Sequence, residues 1–365
     1  MPSTPSTSIE VPAPMDTLPF RSNSKGVRLD PRTLLKSGKI DWERLGALNN
    51  TSLVHAKDLD RETVVALARA AALLESVHIE ETKPLDGKIA ITAFFEASTR
   101  TRLSFESAVL RLDGKVLSVP DGQVTGIAKG ESLVDIGEMF NTYGDVVIMR
   151  HPATESVDEI RQNLAVPLIN AGNGSGQHPT QGLLDWYALL KWRPTLATPD
   201  CPKEDRIHLG IVGTPGSMRA VKSFVRIALR FAGAVEKITI VSEMADPVGL
   251  DLGNEVENSP ITVEVTNNLQ EVVADLDAIY MNSIALLGDS YKRLDSRYKL
   301  SPDTNLKPGA VIMHPLARNN ELDPALDDTM HNLYFAQAAG AVFSRQALLC
   351  AVLGRIGRLA DIAGR

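Results

Sequence analysis

The chain has 365 residues, of which 44% are hydrophobic and 23% charged, with a formal net charge of −7. Such a length supports two domains with separate cores in a soluble globular protein, and the acidic balance argues against sequence-independent nucleic-acid binding, which needs a basic face to release counterions. No apolar run approaches the ~18 residues expected of a membrane span. Cys201 and Cys350 have no spacing that suggests a zinc site or a disulfide framework, so a reducing, cytoplasmic setting without metal or cofactor is expected.

Residues 1–30 read as a flexible tail, rich in Ser, Thr and Pro and lacking the apolar stretch of a secretory signal. From Lys88 short apolar runs alternate with helical patterns, as in a parallel sheet covered on both faces. Strands are predicted at Ile89–Phe95, Val116–Val119, Val146–Met149 and Pro167–Asn170, with helices at Arg102–Leu112, Glu131–Tyr143 and Val157–Leu164. Another helix begins at Pro179, a residue suited to a first helical turn, and runs to about Lys191. The stretch Arg193–Arg206, with its three prolines, reads as a linker. A second series follows, with strands at Ile207–Val212, Ile238–Val241, Ile261–Val265, Ala278–Met281 and Val311–Met313 and helices at Met218–Phe231 and Leu269–Leu276. Leu333–Ile356 has helical apolar spacing and is expected to cross back onto the first domain. The fold class is α/β, with two doubly wound parallel-sheet domains joined by helices. One comprises residues 31–192 completed by 333–356, the other residues 205–332.

The chemistry concentrates where strands end. Phe94–Arg102 takes a buried strand into a helix whose start carries Ser98, Thr99, Arg100 and Thr101. First-turn amides and the helix dipole bind anions, and Arg100 adds a planar double donor for phosphate oxygens. Arg150 also follows a strand and can reach the same crevice, the place where open α/β sheets bind ligands. A Gly-rich turn, Asn170–His178, then leads into a helix carrying His178 and Gln181 on one face. A helix start disfavours imidazolium, so His178 suits a neutral donor to a carbonyl, with simple capping as the alternative role. Together these residues suit a dianionic phosphate attached to a polarised carbonyl. Gly213–Gly216 fits neither the dinucleotide nor the P-loop spacing and reads as the tight turn before the helix that carries Arg219.

Ser98–Arg102, His178–Gln181 and His314-Pro315-Leu316 resemble the signature motifs of the aspartate/ornithine carbamoyltransferase family, with similarity over most of Lys88–Arg355. The resemblance implies that Ser98, Thr99, Arg100, Thr101 and Arg150 hold the phosphate of carbamoyl phosphate. It implies that His178, Thr101 and Arg150 polarise the carbonyl, while Gln181 and the carbonyls of Pro315 and Leu316 hold the amide nitrogen. Thr125 and the catalytic Lys129 would reach into a neighbouring subunit's site, which implies a homotrimer or larger assembly, and a regulatory or partner chain is a further option. Lys129 and Pro315 favour the aspartate branch and hence pyrimidine biosynthesis. Arg219 matches the arginine for the acceptor's α-carboxylate, and Arg318 is a second family arginine near that pocket.

The acceptor half departs from the pattern. Ser283 and Ala285 stand where the aspartate branch has the arginine and glutamine that grip the acceptor, and Ala317 replaces a proline. A charged hydrogen bond contributes roughly 1.5–3 kcal/mol, so aspartate needs a substitute cation, with Lys292 and Arg293 as candidates. Three readings follow: L-aspartate as acceptor, a different amine as acceptor, or a catalytically silent structural or regulatory paralogue.

Overall fold

The computed structural model describes residues 23–78, 82–122, 126, 130–282 and 296–364. Its N-terminal part is helical: α1 (Pro31–Lys36), α2 (Trp42–Gly46) and α3 (Arg61–Ser76). The side chains of Asp30, Asp41 and Asp60 each accept a first-turn amide and fix where these helices begin. The Ala- and Leu-rich α3 is buried over most of its length.

The first sheet contains β1 (Ile89–Phe94), β2 (Lys115–Val119), β3 (Val146–His151) and β4 (Leu168–Asn173), all parallel, in the order β2-β1-β3-β4. Helices α4 (Thr99–Arg111), α5 (Leu133–Tyr143) and α6 (Ser156–Arg161) make the crossovers. After β4 comes α7 (Pro179–Trp192), buried from Pro179 to Lys191. The helix is buried on all sides because it is wedged between α3, α8 (Arg219–Ala228) and the C-terminal helices.

The second sheet is also parallel. It comprises β5 (Ile207–Val212), β6 (Val235–Val241), β7 (Thr262–Thr266), β8 (Ala278–Met281) and β9 (Val311–Met313) in the order β7-β6-β5-β8-β9. Helix α9 (Gly249–Glu257) lies between β6 and β7. In each sheet the strand order reverses beside the first strand, between β1 and β3 and between β5 and β8. Those reversals open crevices at the strands' carboxyl ends.

One large hydrophobic cluster runs through both halves, and each half has a smaller cluster of its own. Trp186 of α7 stacks on Phe224 of α8 and on Phe231, with ring centres 5.8 and 4.0 Å apart, and Phe224 stacks on Tyr280 of β8 at 4.3 Å.

Several expectations change in detail. The predicted helix at Leu269–Leu276 is instead two short 3-10 turns, Leu269–Glu271 and Val273–Asp275. Leu333–Ile356 is not one helix but α10 (Tyr334–Ala339) and α11 (Ala341–Val352), followed by α12 (Ile356–Ala363). Tyr334–Val352 is in fact long and apolar enough by composition to span a bilayer, contrary to the sequence reading, but it is mostly buried inside the protein. Its apolar surface is used in packing α11 onto α3, α4 and α7.

Candidate active site

A cavity of about 910 Å³ lies between the two sheets' carboxyl ends. Its walls include Ser98, Thr99, Arg100, Thr101, Arg150, His178 and Gln181 from the first half, Arg219 and Asn282 from the second, and Pro315 and Leu316 from the loop after β9.

Ser98 is the N-cap of α4, with φ −160° and ψ 89°, but its side chain makes no capping hydrogen bond among the described residues. The first intrahelical bond runs from the Arg102 amide to the Ser98 carbonyl at 3.1 Å. The amides of Thr99, Arg100 and Thr101 therefore have no intrahelical acceptor and stay available to an anion at the helix start. Arg102 turns away, to Glu106 Oε1 at 3.3 Å and Ser118, and holds α4 on β2.

Arg150 lies in the strand, paired with Phe94 of β1 rather than following β3. Glu96 joins it to the second half. Arg150 Nη2 donates to Glu96 Oε1 at 2.9 Å, and Arg219, the first residue of α8, donates to Oε2 and Oε1 at 2.8 and 2.7 Å. The two guanidinium groups hold the Glu96 carboxyl below the usual carboxylate range despite its partial burial. Beneath them Gly172 has φ +117°, and a Cβ there would lie 3.3 Å from both Arg150 Nη1 and Arg219 Nε, so glycine suits both the backbone and the space.

His178 is the N-cap of α7, held by its amide donating to Ser223 Oγ at 2.8 Å. Its side chain makes no cap hydrogen bond among the described residues, so capping is not the imidazole's role. Burial, with Arg150, Arg219 and Arg345 nearby, holds its pKa well below 6.5 and keeps the ring neutral. Thr180 Oγ1 lies 3.2 Å from Nδ1, and Nε2 is buried without a partner among the described residues. When Thr180 donates to Nδ1, Nε2 carries the proton and is a ready donor to a carbonyl oxygen.

Position 314 has a different task. The Leu316 amide donates to His314 Nδ1 at 2.8 Å, which puts the ring proton on Nε2, 2.9 Å from Glu321 Oε1. The imidazole thus staples the loop that presents Pro315 and Leu316, where Leu316 has φ 55°.

Arg318 does not join the cavity, contrary to expectation. It donates to both carboxylate oxygens of Asp327, at 2.8 Å for Nη2, and to Tyr334 OH at 3.3 Å. Both of its Nη groups are directed at Asp327, and unlike Arg219 it is not among the residues that line the cavity. Thr125, Lys129, Ser283, Ala285, Lys292 and Arg293 lie outside the described residues.

Sequence reasoning passed over Glu96, Asp185, Gln337 and Arg345. Arg345 is 3% exposed, lines the cavity, and donates to Ser104 on α4 while lying 4.6 Å over Phe105. Burial pulls its pKa down to about 9. A signal existed for two of these. Arg345 is the lone charge in the run Ala341–Val352, and Asp185 is the lone acid within α7. Each is a charge in a helix otherwise built for burial.

Residues 51–191 match the model of the aspartate/ornithine carbamoyltransferase carbamoyl-P binding domain, and residues 205–352 match that of the Asp/Orn binding domain. The chain is 33% identical to the aspartate carbamoyltransferase catalytic subunit of Archaeoglobus fulgidus over 310 residues, covering 82% of this chain and 98% of that one. Against the same subunit of Methanosarcina mazei it is 34% identical over 315 residues, covering 84% and 98%. The crystal structure of aspartate transcarbamoylase from Trypanosoma cruzi in complex with carbamoyl aspartate and phosphate matches with a TM-score of 0.75 and 28% identity, covering 85% of this chain and 98% of that one. Motifs and fold agree with these likenesses, and the chain belongs to the aspartate/ornithine carbamoyltransferase family.

Proposed function

We propose that this enzyme transfers the carbamoyl group of carbamoyl phosphate to the amine of L-aspartate, giving N-carbamoyl-L-aspartate and phosphate for pyrimidine biosynthesis. The observation that carries this reading is the meeting of the α4 start, Arg100, Arg150 and a neutral His178 in one cavity.

The phosphate sits on the amides of Thr99 to Thr101 and on Arg100, where dipole and guanidinium both favour a dianion. Thr101, Arg150 and His178 donate to the carbonyl oxygen. The acceptor's α-carboxylate goes to Arg219 and its neutral amine attacks the carbonyl carbon. Charge then builds on the carbonyl oxygen, where the donors are already aimed. The C–O bond to phosphate breaks, the electron pair leaves with phosphate, and the amine proton passes to that phosphate. Positioning and electrostatics supply the rate, with no covalent enzyme intermediate. Lys129 of a neighbouring subunit offsets the leaving charge, so the working form is a homotrimer or larger assembly with shared sites, which a native mass measurement would test.

Ser283 and Ala285 favour a second reading, an acceptor with a smaller or less acidic side chain. A silent paralogue is disfavoured because the donor-side residues named above among the described ones converge on one cavity. Phosphate release measured with aspartate and then a panel of amines separates the three. Arg100→Ala and His178→Ala are each expected to lower kcat by roughly 100-fold or more with the fold intact. Undiminished turnover in both would sink the assignment.

A further inference from the structure

Asp185 is completely buried on α7, one turn beyond Gln181. Three neutral donors converge on its carboxylate. Gln181 Nε2 donates to Oδ1 at 2.7 Å, Gln337 Nε2 to the same oxygen at 2.5 Å, and Tyr280 OH to Oδ2 at 2.7 Å. An ionised carboxylate only accepts, so both glutamine amides must turn their nitrogens towards it and their oxygens away. Gln181 lines the cavity, and with its nitrogen committed its Oε1 is the acceptor left for a ligand. Gln337 Oε1 accepts the His314 amide at 2.9 Å, which fixes the start of the loop that carries the Pro315 and Leu316 carbonyls. One buried carboxylate thus orients the Gln181 amide in the cavity wall and, through Gln337, the start of the loop that lines the cavity at Pro315 and Leu316.

We propose that Asp185 is a positioning residue that makes the cavity selective for the –NH2 of the carbamoyl group, by holding Gln181 Oε1 and the 315–316 carbonyls as hydrogen-bond acceptors. The inference rests on the carbamoyl phosphate reading above. A site built to pair an N–H discriminates strongly against an analogue that lacks it, because its buried acceptors are then left unpaired. Acetyl phosphate is that analogue, with a methyl group in place of –NH2. The groups facing Asp185 are Gln181, Tyr280, Gln337 and, electrostatically, Arg345, and burial raises the carboxyl to about 7. At pH 8 it is therefore mainly ionised.

The test titrates carbamoyl phosphate, acetyl phosphate and inorganic phosphate into wild type and Asp185→Leu at pH 8 by calorimetry. Leucine keeps the approximate shape and removes both acceptor oxygens, so neither glutamine amide is held with its nitrogen towards position 185. The variant is expected to lose about tenfold in carbamoyl phosphate affinity, with acetyl phosphate and phosphate within about twofold of wild type. Equal weakening of all three ligands would make Asp185 a general packing element and overturn the proposal, as would unchanged carbamoyl phosphate affinity. Should Asp185→Leu not fold, Gln337→Met cuts only the second arm. It is expected to show the same selective loss to a smaller extent, and a uniform or absent loss there overturns the proposal too. A wild type that binds phosphate but prefers acetyl to carbamoyl phosphate refutes the positioning role alone. A wild type that binds neither acyl phosphate refutes the functional reading, and this inference with it.

Discussion

Glu96→Gln is the substitution that isolates how the two halves are coupled. Glu96 lies in the turn from β1 to α4, yet its carboxylate receives both Nη groups of Arg219 from α8, at 2.7 and 2.8 Å, besides Arg150 at 2.9 Å. The Glu96 side chain is 31% exposed and that of Arg219 19%, so the pair belongs between an exposed and a buried one. Buried charged hydrogen bonds contribute roughly 1.5–3 kcal/mol and exposed pairs roughly 0.2–1, which places this clamp at about 1–2 kcal/mol. Without the charge, two guanidinium groups that share one oxygen are left to repel across the cavity, and the α8 start drifts from the donor site. At about 1.4 kcal/mol per decade, the acceptor's KM is expected to rise roughly 5- to 30-fold. Phosphate affinity should stay near wild type because Arg100 and the α4 amides are untouched. Steady-state phosphate release at varied acceptor concentration, with direct phosphate titration alongside, reads both quantities. An acceptor KM within twofold of wild type would refute the clamp, and a parallel loss of phosphate affinity would assign Glu96 to the donor site instead.

Two further outcomes are expected. A Cβ at Gly182 on α7 would lie 2.9 Å from Ile227 Cδ1 and 3.0 Å from the Ser223 carbonyl on α8. Gly182→Val should therefore cost about 1–3 kcal/mol in urea denaturation and lower activity with it, by pushing α8 and Arg219 away; full stability would contradict the close helix packing. Asp185 has its pKa raised from 3.8 to about 7, so between those values the folded chain holds a proton that the unfolded chain has released. Its contribution is most favourable at low pH and is lost as pH rises through about 7. Relative to Asp185→Asn, wild type should lose up to roughly 4 kcal/mol between pH 4 and 8, and parallel stability curves would show that the carboxyl is not so perturbed.

The sequence by itself determined the parallel α/β series, because short continuous apolar runs mark strands buried on both faces and alternate locally with helical patterns. It also marked the donor half of the site, since Ser98–Arg102 and His178–Gln181 are contiguous segments whose caps, strand ends and charges can be read in place. It did not expose α1, α2 and α3, where short capped helices and an Ala-rich run carry little amphipathic contrast. Nor could it break the Leu333–Ile356 pattern into α10 and α11, since one Gly340 within an apolar run does not announce a chain turn. Only the tertiary structure decided which charges meet. Glu96 finds Arg219 across 123 positions, Asp185 gathers Gln337 across 152, and Arg318 is drawn off to Asp327 instead of the cavity. The physical reason is that local patterning reports what a segment buries, whereas the partner of a buried charge is set by which distant segments the two sheets and α7 bring within hydrogen-bond reach.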